Sequence, residues 1–217
     1  ARAVIARPQA QLVYTDEDKL DRSGARCRPM FKPDWNPEIL HAFNFVNHLA
    51  CYRAERVRAE GGLRTGFEGA QDYDLLLRVT RGLAPEQIVH IPKVLYHWRM
   101  SAGSTAGGNP AKPYALAAGE GALNEHLALA VPGARAQVEG PVYRTTYPLP
   151  SPAPTVSIVI ATRDRLALLK KCVESLNGRT DWRQVEIGIV DNPHREPATM
   201  EWLAKSQAKG IIRVVRD

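Results

Sequence analysis

The last third of the chain has the most regular pattern of apolar and polar positions. Residues 156–160 form a short run rich in β-branched side chains, which predicts a buried parallel strand. Residues 185–190 and 211–215 predict two further strands. The helices between them are predicted by apolar residues at helical spacing, namely Leu166, Leu169, Val173 and Leu176, and then Met200, Trp202 and Leu203 after Pro197. Because βαβ crossovers are right-handed, we expect the three strands to form one parallel sheet.

The first 130 residues have a less regular pattern that still mixes strands and helices. Asp16-Glu17-Asp18 is predicted to form an acidic turn after the first strand. The other predicted elements are a helix up to residue 5, strands 11–14 and 47–52, helices 54–60 and 72–79, extended segments 89–91 and 94–96, and a helix at 113–130. The whole pattern predicts an α/β protein.

The prolines of residues 147–154 mark the clearest boundary. Alternating prolines remove backbone donors and favour an extended, semi-rigid chain. We therefore predict a first domain at 1–130, a linker at 131–154 and a second domain at 155–217.

Composition excludes several classes of protein. The chain has 217 residues, 44% of them hydrophobic and 24% charged, which excludes wholesale disorder. The net charge of +6 comes from scattered basic residues, so no nucleic-acid partner is expected. No apolar run approaches the roughly 18 residues that a membrane span needs. Cys27, Cys51 and Cys172 have neither metal-site spacing nor a disulfide framework, which favours a reducing, cytoplasmic location.

Several motifs together resemble family 2 glycosyltransferases. Residues 68–74 (EGAQDYD), 91–99 (IPKVLYHWR) and 103–105 (GST) are similar to the acceptor-side half of such an enzyme. Residues 156–164 (VSIVIATRD) and 189–192 (IVDN) are similar to its nucleotide-binding opening. The resemblance covers nearly the whole chain, and it implies the GT-A fold, a Rossmann-like α/β architecture.

The order of the two halves is unusual, because the acceptor-side half precedes the nucleotide-binding half. That order is expected for a fragment of a tandem, two-domain bacterial enzyme of O-antigen or related polysaccharide synthesis, and a circularly permuted enzyme is the alternative. The resemblance implies an inverting transfer from a nucleotide-diphosphate sugar to a polysaccharide or lipid-linked acceptor, with possible peripheral association with the inner membrane. On the fragment interpretation, the 217 residues alone should be inactive.

The resemblance assigns the catalytic base to Asp72. A carboxylate at a helix start is kept ionised by the helix dipole, which suits a base that must accept a proton. The alternative is that Asp72 caps the helix that runs to Val79.

The resemblance assigns nucleotide-sugar binding to Thr162, Asp164 and Asp191. These residues come at the carboxyl ends of two predicted strands, where open α/β sheets bind ligands. The alternative is that Asp164 caps the following helix and that Asp191 belongs to a turn.

The resemblance implies Mg²⁺ or Mn²⁺ as cofactor, with its main carboxylate ligands upstream of residue 1. Asp16 and Asp18 are then predicted to have a structural role or to line the acceptor or diphosphate side, with direct metal binding as the alternative. His97 is a candidate metal ligand, with ordinary packing as its alternative. Arg99 could pair with phosphate. Trp98, and likewise Trp35, could stack on sugar or simply pack in the core.

Two other classes of function fit parts of the sequence. A non-catalytic module that binds a nucleotide sugar or polysaccharide could keep the same fold. A nucleic-acid-binding α/β protein would show affinity that falls steeply with salt.

Overall fold

The structure is a computed structural model that describes residues 1–100, 113–192 and 196–216. The chain divides into two compact units, Ala1–Pro148 and Leu149–Asp217. Helices occur in both units, and the described residues form three sheets, so the protein is a mixed α/β protein. The predicted motif at 103–105 and Pro193 lie outside the described residues.

The first unit has a four-stranded sheet, a separate hairpin, five α-helices and a short 3₁₀ helix (Pro85–Gln87) among its described residues. Its elements are α1 (Arg2–Ala6), β1 (Leu12–Leu20), β2 (Arg26–Met30), α2 (Pro37–Leu40), β3 (Ala50–Tyr52), α3 (Ala54–Ala59), α4 (Gln71–Thr80), β4 (Ile88–Arg99), α5 (Pro113–Ala130), β5 (Arg135–Glu139) and β6 (Val142–Thr146).

Strand β1 organises the four-stranded sheet. It pairs in parallel with β4 from Leu12, opposite Ile88, to Leu20, opposite Arg99. It also pairs antiparallel with β3 near its start and with β2 near its end. Residues 12–18 of β1 are all buried, so its polar residues need partners inside the protein.

Helices α4 and α5 pack against each other and contribute to the main core. The fully buried members of this core include Tyr14, Phe45, Leu76, Leu77, Leu123 and Leu127. Nearly the whole of α4 after its first turn is buried. The Tyr73 hydroxyl donates a hydrogen bond to the Leu40 carbonyl at 2.5 Å, which fixes the start of α4 against α2.

The β5–β6 hairpin packs on the first unit through Tyr143. The Tyr143 ring is 92% buried and stacks on Tyr73, with the ring centroids 5.7 Å apart. Its hydroxyl lies against Gly119 of α5, where an added Cβ would be only 1.9 Å from the oxygen. The Tyr143 amide also donates to the Ala42 carbonyl. Tyr143 can therefore occupy this position because residue 119 of α5 is a glycine and has no side chain.

The second unit confirms the predicted βαβαβ order. Its elements are β7 (Val156–Thr162), α6 (Leu166–Arg179), β8 (Val185–Asp191), α7 (Pro197–Ala208) and β9 (Arg213–Arg216). The strands form one parallel sheet in the order β7-β8-β9. Its small core contains Leu169, Val173, Ile187, Ile189, Leu203 and Ile212.

The acidic turn predicted at Asp16-Glu17-Asp18 is wrong. These residues continue β1 and are 96–97% buried. A strand can hold three buried carboxylates here because each of them has a basic or imidazole partner, and those partners come from segments distant in sequence.

The predicted strand 47–52 is also too long, since β3 begins only at Ala50. The predicted linker is too long as well. The β5–β6 hairpin occupies residues 135–146, whereas residues 147–154 contain no helix or strand. The aromatic contacts of Tyr143 explain why this part folds onto the first unit. Among the described residues, no helix is both long enough and apolar enough to cross a membrane.

Candidate active site

Asp72 lies in the first turn of α4 and is exposed. The N-cap of α4 is Ala70, which has no side-chain oxygen, so Asp72 does not cap the helix. Its carboxylate instead accepts a hydrogen bond from the Asn44 side-chain amide at 3.2 Å. A carboxylate in a first helical turn is favoured by the helix dipole. The structure therefore presents Asp72 as an ionisable group that faces solvent from a well-anchored helix.

Two cavities meet at Asp72. The larger, of about 420 Å³, has a mostly apolar wall that includes Leu63, Leu75 and Tyr96. The smaller, of about 190 Å³, is lined by residues from the 43–47 segment, α4, α5 and the turn at Pro141. Asn47 and Asp72 line both cavities.

The charge of Asp72 acts on a tyrosine at each cavity. Burial raises the pKa of the Tyr52 phenol beside the larger cavity, and the negative charge of Asp72 raises it further. Burial also raises the pKa of Tyr143 at the smaller cavity, with added contributions from Glu120 and Asp72. Both phenols therefore keep their protons and can act as hydrogen-bond donors.

Asn44 and Asn47 hold the segment that faces Asp72. The Asn44 side-chain oxygen accepts a hydrogen bond from the Asn47 amide at 3.0 Å, while its NH₂ group donates to Asp72. Asn47 has a left-handed backbone, with φ of 29°. Such conformations in residues other than glycine concentrate at functional sites.

One wall of the larger cavity is anchored by a buried lysine. The Lys32 side chain is fully buried, and its ammonium donates to the carbonyls of Val46 and His48. It also lies 3.4 Å from a Glu17 carboxylate oxygen. Burial lowers the pKa of Lys32, while Glu17 opposes that shift. Burial would raise the pKa of Glu17, but hydrogen bonds and charge from His48 and Lys32 lower it overall.

Aromatic rings continue from that wall along β4. The His48 ring stacks on Tyr96 and makes a tilted contact with Trp98, each at a centroid distance of 4.8 Å. The Lys19 ammonium lies 5.1 Å from the Trp98 ring centroid. Trp98 is half-buried by these contacts, and Arg99 is exposed at the end of β4.

Asp16 and Asp18 both contact polar partners within the first unit. Asp16 accepts from the Lys32 amide at 3.0 Å and lies 2.8 Å from His90 Nε2. Asp18 accepts from Arg26 at 2.6 Å and lies 2.5 Å from His97 Nδ1. Burial opposes the ionisation of Asp18, but the hydrogen bonds from His97 and Arg26 lower its pKa overall. Both aspartates therefore stabilise the strand.

The residues around His97 do not form a complete metal site. His97 has a carboxylate neighbour in Asp18, but Arg26 already binds the second oxygen of that carboxylate. No group of three or more His, Cys, Asp or Glu residues in the described part of the chain could hold a metal ion. The donor set fits a hydrogen-bonded ion pair, and metal binding by His97 stays a prediction.

The second unit brings Thr162 and Asp191 to the same sheet edge. The two residues are direct neighbours at the carboxyl ends of β7 and β8. Asp164 follows with φ of 57°, and its carboxylate accepts a hydrogen bond from the Glu196 amide at 3.1 Å. The N-cap of α6 is Arg165, so Asp164 does not cap that helix. A cavity of about 330 Å³ is lined by residues 160–165 and by the first turns of α6.

The sequence reasoning missed Asn44, Asn47, His48, Glu17 and Lys32 as parts of the Asp72 site. A signal was present, because Asn44, Asn47 and His48 interrupt an otherwise apolar segment at 43–50. The contact between Glu17 and Lys32 could not be predicted from their spacing in the sequence. It forms only because β1, which contains Glu17, pairs with β2, which directly precedes Lys32.

Comparisons with known proteins give two relatives over the full length of the chain. A Sinorhizobium fredii protein named "Uncharacterized protein y4gI" is 46% identical over 220 residues, which are 24% of its own length. A Myxococcus xanthus protein named "O-antigen biosynthesis protein RfbC" is 38% identical over 218 residues, 17% of its length. The chain thus spans about a quarter or less of these relatives. No protein-family model matches it.

Proposed function

We propose that the chain is part of a glycosyltransferase that acts in bacterial polysaccharide synthesis. It would move a sugar from a nucleotide-diphosphate donor to a polysaccharide or lipid-linked acceptor, with inversion. The name of the Myxococcus xanthus relative supports the polysaccharide class. The motif at 68–74 supports the reaction, since its residues line both Asp72 cavities, and the motif at 91–99 contributes Tyr96 to the larger one.

The observation that carries the proposal is the exposed carboxylate of Asp72 between two cavities. Asp72 does not cap the helix, and its side-chain hydrogen-bond partner among the described residues is the neutral amide of Asn44. By contrast, Asp74 on the same helix is 99% buried between Arg64 and Arg78. Of the two, only Asp72 is accessible to a substrate hydroxyl.

In the proposed reaction, Asp72 accepts the proton of the acceptor hydroxyl as the oxygen attacks the anomeric carbon of the donor. A new C–O bond forms on one face of the sugar. The bond from carbon to the diphosphate oxygen breaks on the other face, and the nucleoside diphosphate leaves with the electron pair. Inversion follows from this geometry. The apolar wall of the larger cavity would exclude water from the attacking hydroxyl.

The second unit would bind a nucleotide diphosphate sugar at the edge defined by Thr162 and Asp191. These side chains, with Asp164, lie where parallel α/β sheets bind ligands. The acceptor class would place the protein at the cytoplasmic face of the inner membrane. This role for the second unit is independent of the assignment of Asp72.

The test is sugar transfer by the full-length protein carrying Asp72→Asn. This variant keeps the shape of the side chain and can still pair with a neighbouring amide, but it cannot take a proton. We expect turnover to fall at least about a hundredfold, the lower range for loss of a general base. Binding of the nucleoside diphosphate should be unchanged.

The matched control is Glu55→Gln, which neutralises an exposed carboxylate in the first turn of α3. It should leave turnover within about twofold of the unaltered protein. Equal turnover in the Asp72→Asn protein and the control would refute the base assignment. A full-length protein that binds donor nucleotide and glycan but transfers no sugar would instead identify a binding module.

A further inference from the structure

A third cavity of the first unit, of about 530 Å³, lies beside the amino-terminal half of β4. Its lining includes Trp35 and His90, and none of its lining residues borders either cavity at Asp72. On the neighbouring strand β1, His90 pairs with Tyr14 and Tyr96 pairs with Glu17, so the two β4 residues are separated by three β1 positions, or roughly 10 Å. We propose that this cavity is a separate binding site for a neutral sugar residue.

The floor of the cavity is a rigid imidazole. The His90 side chain is 95% buried, and its ring stacks on Tyr14 at a centroid distance of 4.8 Å. Its Nε2 lies 2.8 Å from Asp16, and its Nδ1 lies 3.1 Å from Asp34. Three neighbours therefore fix the ring before any ligand arrives, which lowers the conformational entropy that binding costs.

One wall of the cavity is the Trp35 indole. This ring is half-buried, and it packs against Phe45 of the main core at a centroid distance of 6.2 Å. The core thus supports one side of the indole, and the ring also borders the cavity. An amphipathic ring fixed at the edge of a cavity is a suitable surface for the C–H face of a pyranose.

The rim supplies hydrogen-bonding groups of both kinds. Arg7 offers guanidinium donors, while Glu86 and Asp34 offer carboxylate acceptors, and all three residues are exposed. Vicinal sugar hydroxyls donate and accept at once, so they match a rim of this mixed character. The two carboxylates outnumber the single arginine, and this balance disfavours phosphate and uronate ligands.

The cavity would bind sugar whether or not Asp72 is a catalytic base, so each of the two proposals can be refuted without affecting the other. If the protein handles a glycan polymer, this site would hold a residue away from the reacting end. That would raise the effective concentration of the reacting end at Asp72.

The test is NMR titration of the 217-residue chain, labelled with ¹⁵N, with simple glycosides. The probes are the methyl α-pyranosides of glucose, mannose, galactose and rhamnose, each up to about 100 mM because single-sugar affinities in the millimolar range are expected. The indole N–H signal of Trp35 should move to saturation with at least one probe. The indoles of Trp182 and Trp202 serve as internal references and should move little.

Two exposed rim residues provide variants that leave the core intact. Arg7→Ala and Glu86→Gln should each weaken binding about fivefold, the effect of one lost hydrogen bond. Arg22→Ala removes an exposed arginine that does not line this cavity, so binding should be unchanged. Glucuronate should bind more weakly than methyl glucoside.

Three results would overturn the proposal. The first is no movement of the Trp35 indole with any probe, and the second is equal movement of the Trp35, Trp182 and Trp202 indoles. The third is unchanged affinity in both rim variants. Glucuronate binding as tight as that of methyl glucoside would refute the assignment to neutral sugars.

Discussion

Replacing Gly119 by alanine should destabilise the first unit, although alanine is normally the better helix former. An added Cβ at residue 119 would lie 1.9 Å from the Tyr143 hydroxyl oxygen and 2.9 Å from the ring carbon that carries it. Carbon atoms essentially never approach an oxygen that closely, so the tyrosine must leave its position. The stacking of Tyr143 on Tyr73 would then be lost or weakened.

The size of the effect follows from two opposing contributions. Displacing a buried aromatic side chain and overpacking its site costs about 3 kcal/mol. The change from glycine to alanine inside a helix returns about 1 kcal/mol. We therefore expect the free energy of unfolding of the first unit to fall by about 2 kcal/mol in Gly119→Ala.

The same helix supplies a matched control. Gly121 is exposed, and the nearest atom to a Cβ added there is a Phe67 ring carbon at 4.0 Å. Gly121→Ala should stabilise the protein by up to about 1 kcal/mol. Equilibrium urea denaturation followed by circular dichroism measures both changes. A Gly119→Ala protein as stable as the unaltered one would refute the described contact between α5 and the hairpin.

Two further predictions concern buried ionisable side chains. Burial lowers the pKa of His126 to about 4. Between pH 6.5 and 4, the unfolded chain therefore binds a proton that the folded chain does not. The free energy of unfolding should fall by about 3 kcal/mol as the pH drops through this window. Urea denaturation across that range should show a shallower loss in His126→Gln, and an equally steep loss in that variant would contradict the assignment. Lys32→Met should cost about 3 kcal/mol because it leaves Glu17 buried without its cation. Adding Glu17→Gln should recover part of that loss, and strictly additive losses in the double variant would show that the pair is not coupled.

The sequence predicted the second unit better than the first, for a physical reason. Its strands are short β-branched runs, and its helices have regular apolar spacing, so local pattern and tertiary structure agree. In the first unit, β1 includes three consecutive acidic residues, and only their distant partners make a strand possible there. A prediction based on neighbouring residues in the sequence cannot identify those distant partners.

The candidate active site likewise contains residues that local pattern predicts and residues that it does not. The position of Asp72 at a helix start and the joint position of Thr162 and Asp191 were predictable from pattern and resemblance. The roles of Asn44 and Lys32 were not, since both depend on contacts between segments separated by many residues. The prediction that residues 1–130 form an acceptor-side half stays a prediction.

The most direct test is a structure of the full-length protein with an acceptor glycan and a nucleoside diphosphate bound. We predict that a hydroxyl group of the acceptor lies within about 3.2 Å of an Asp72 carboxylate oxygen, the reach that a general base needs. We also predict nucleotide density beside Thr162 and Asp191. An acceptor bound elsewhere, with its reactive hydroxyl facing another carboxylate and Asp72 in contact with solvent alone, would contradict the account.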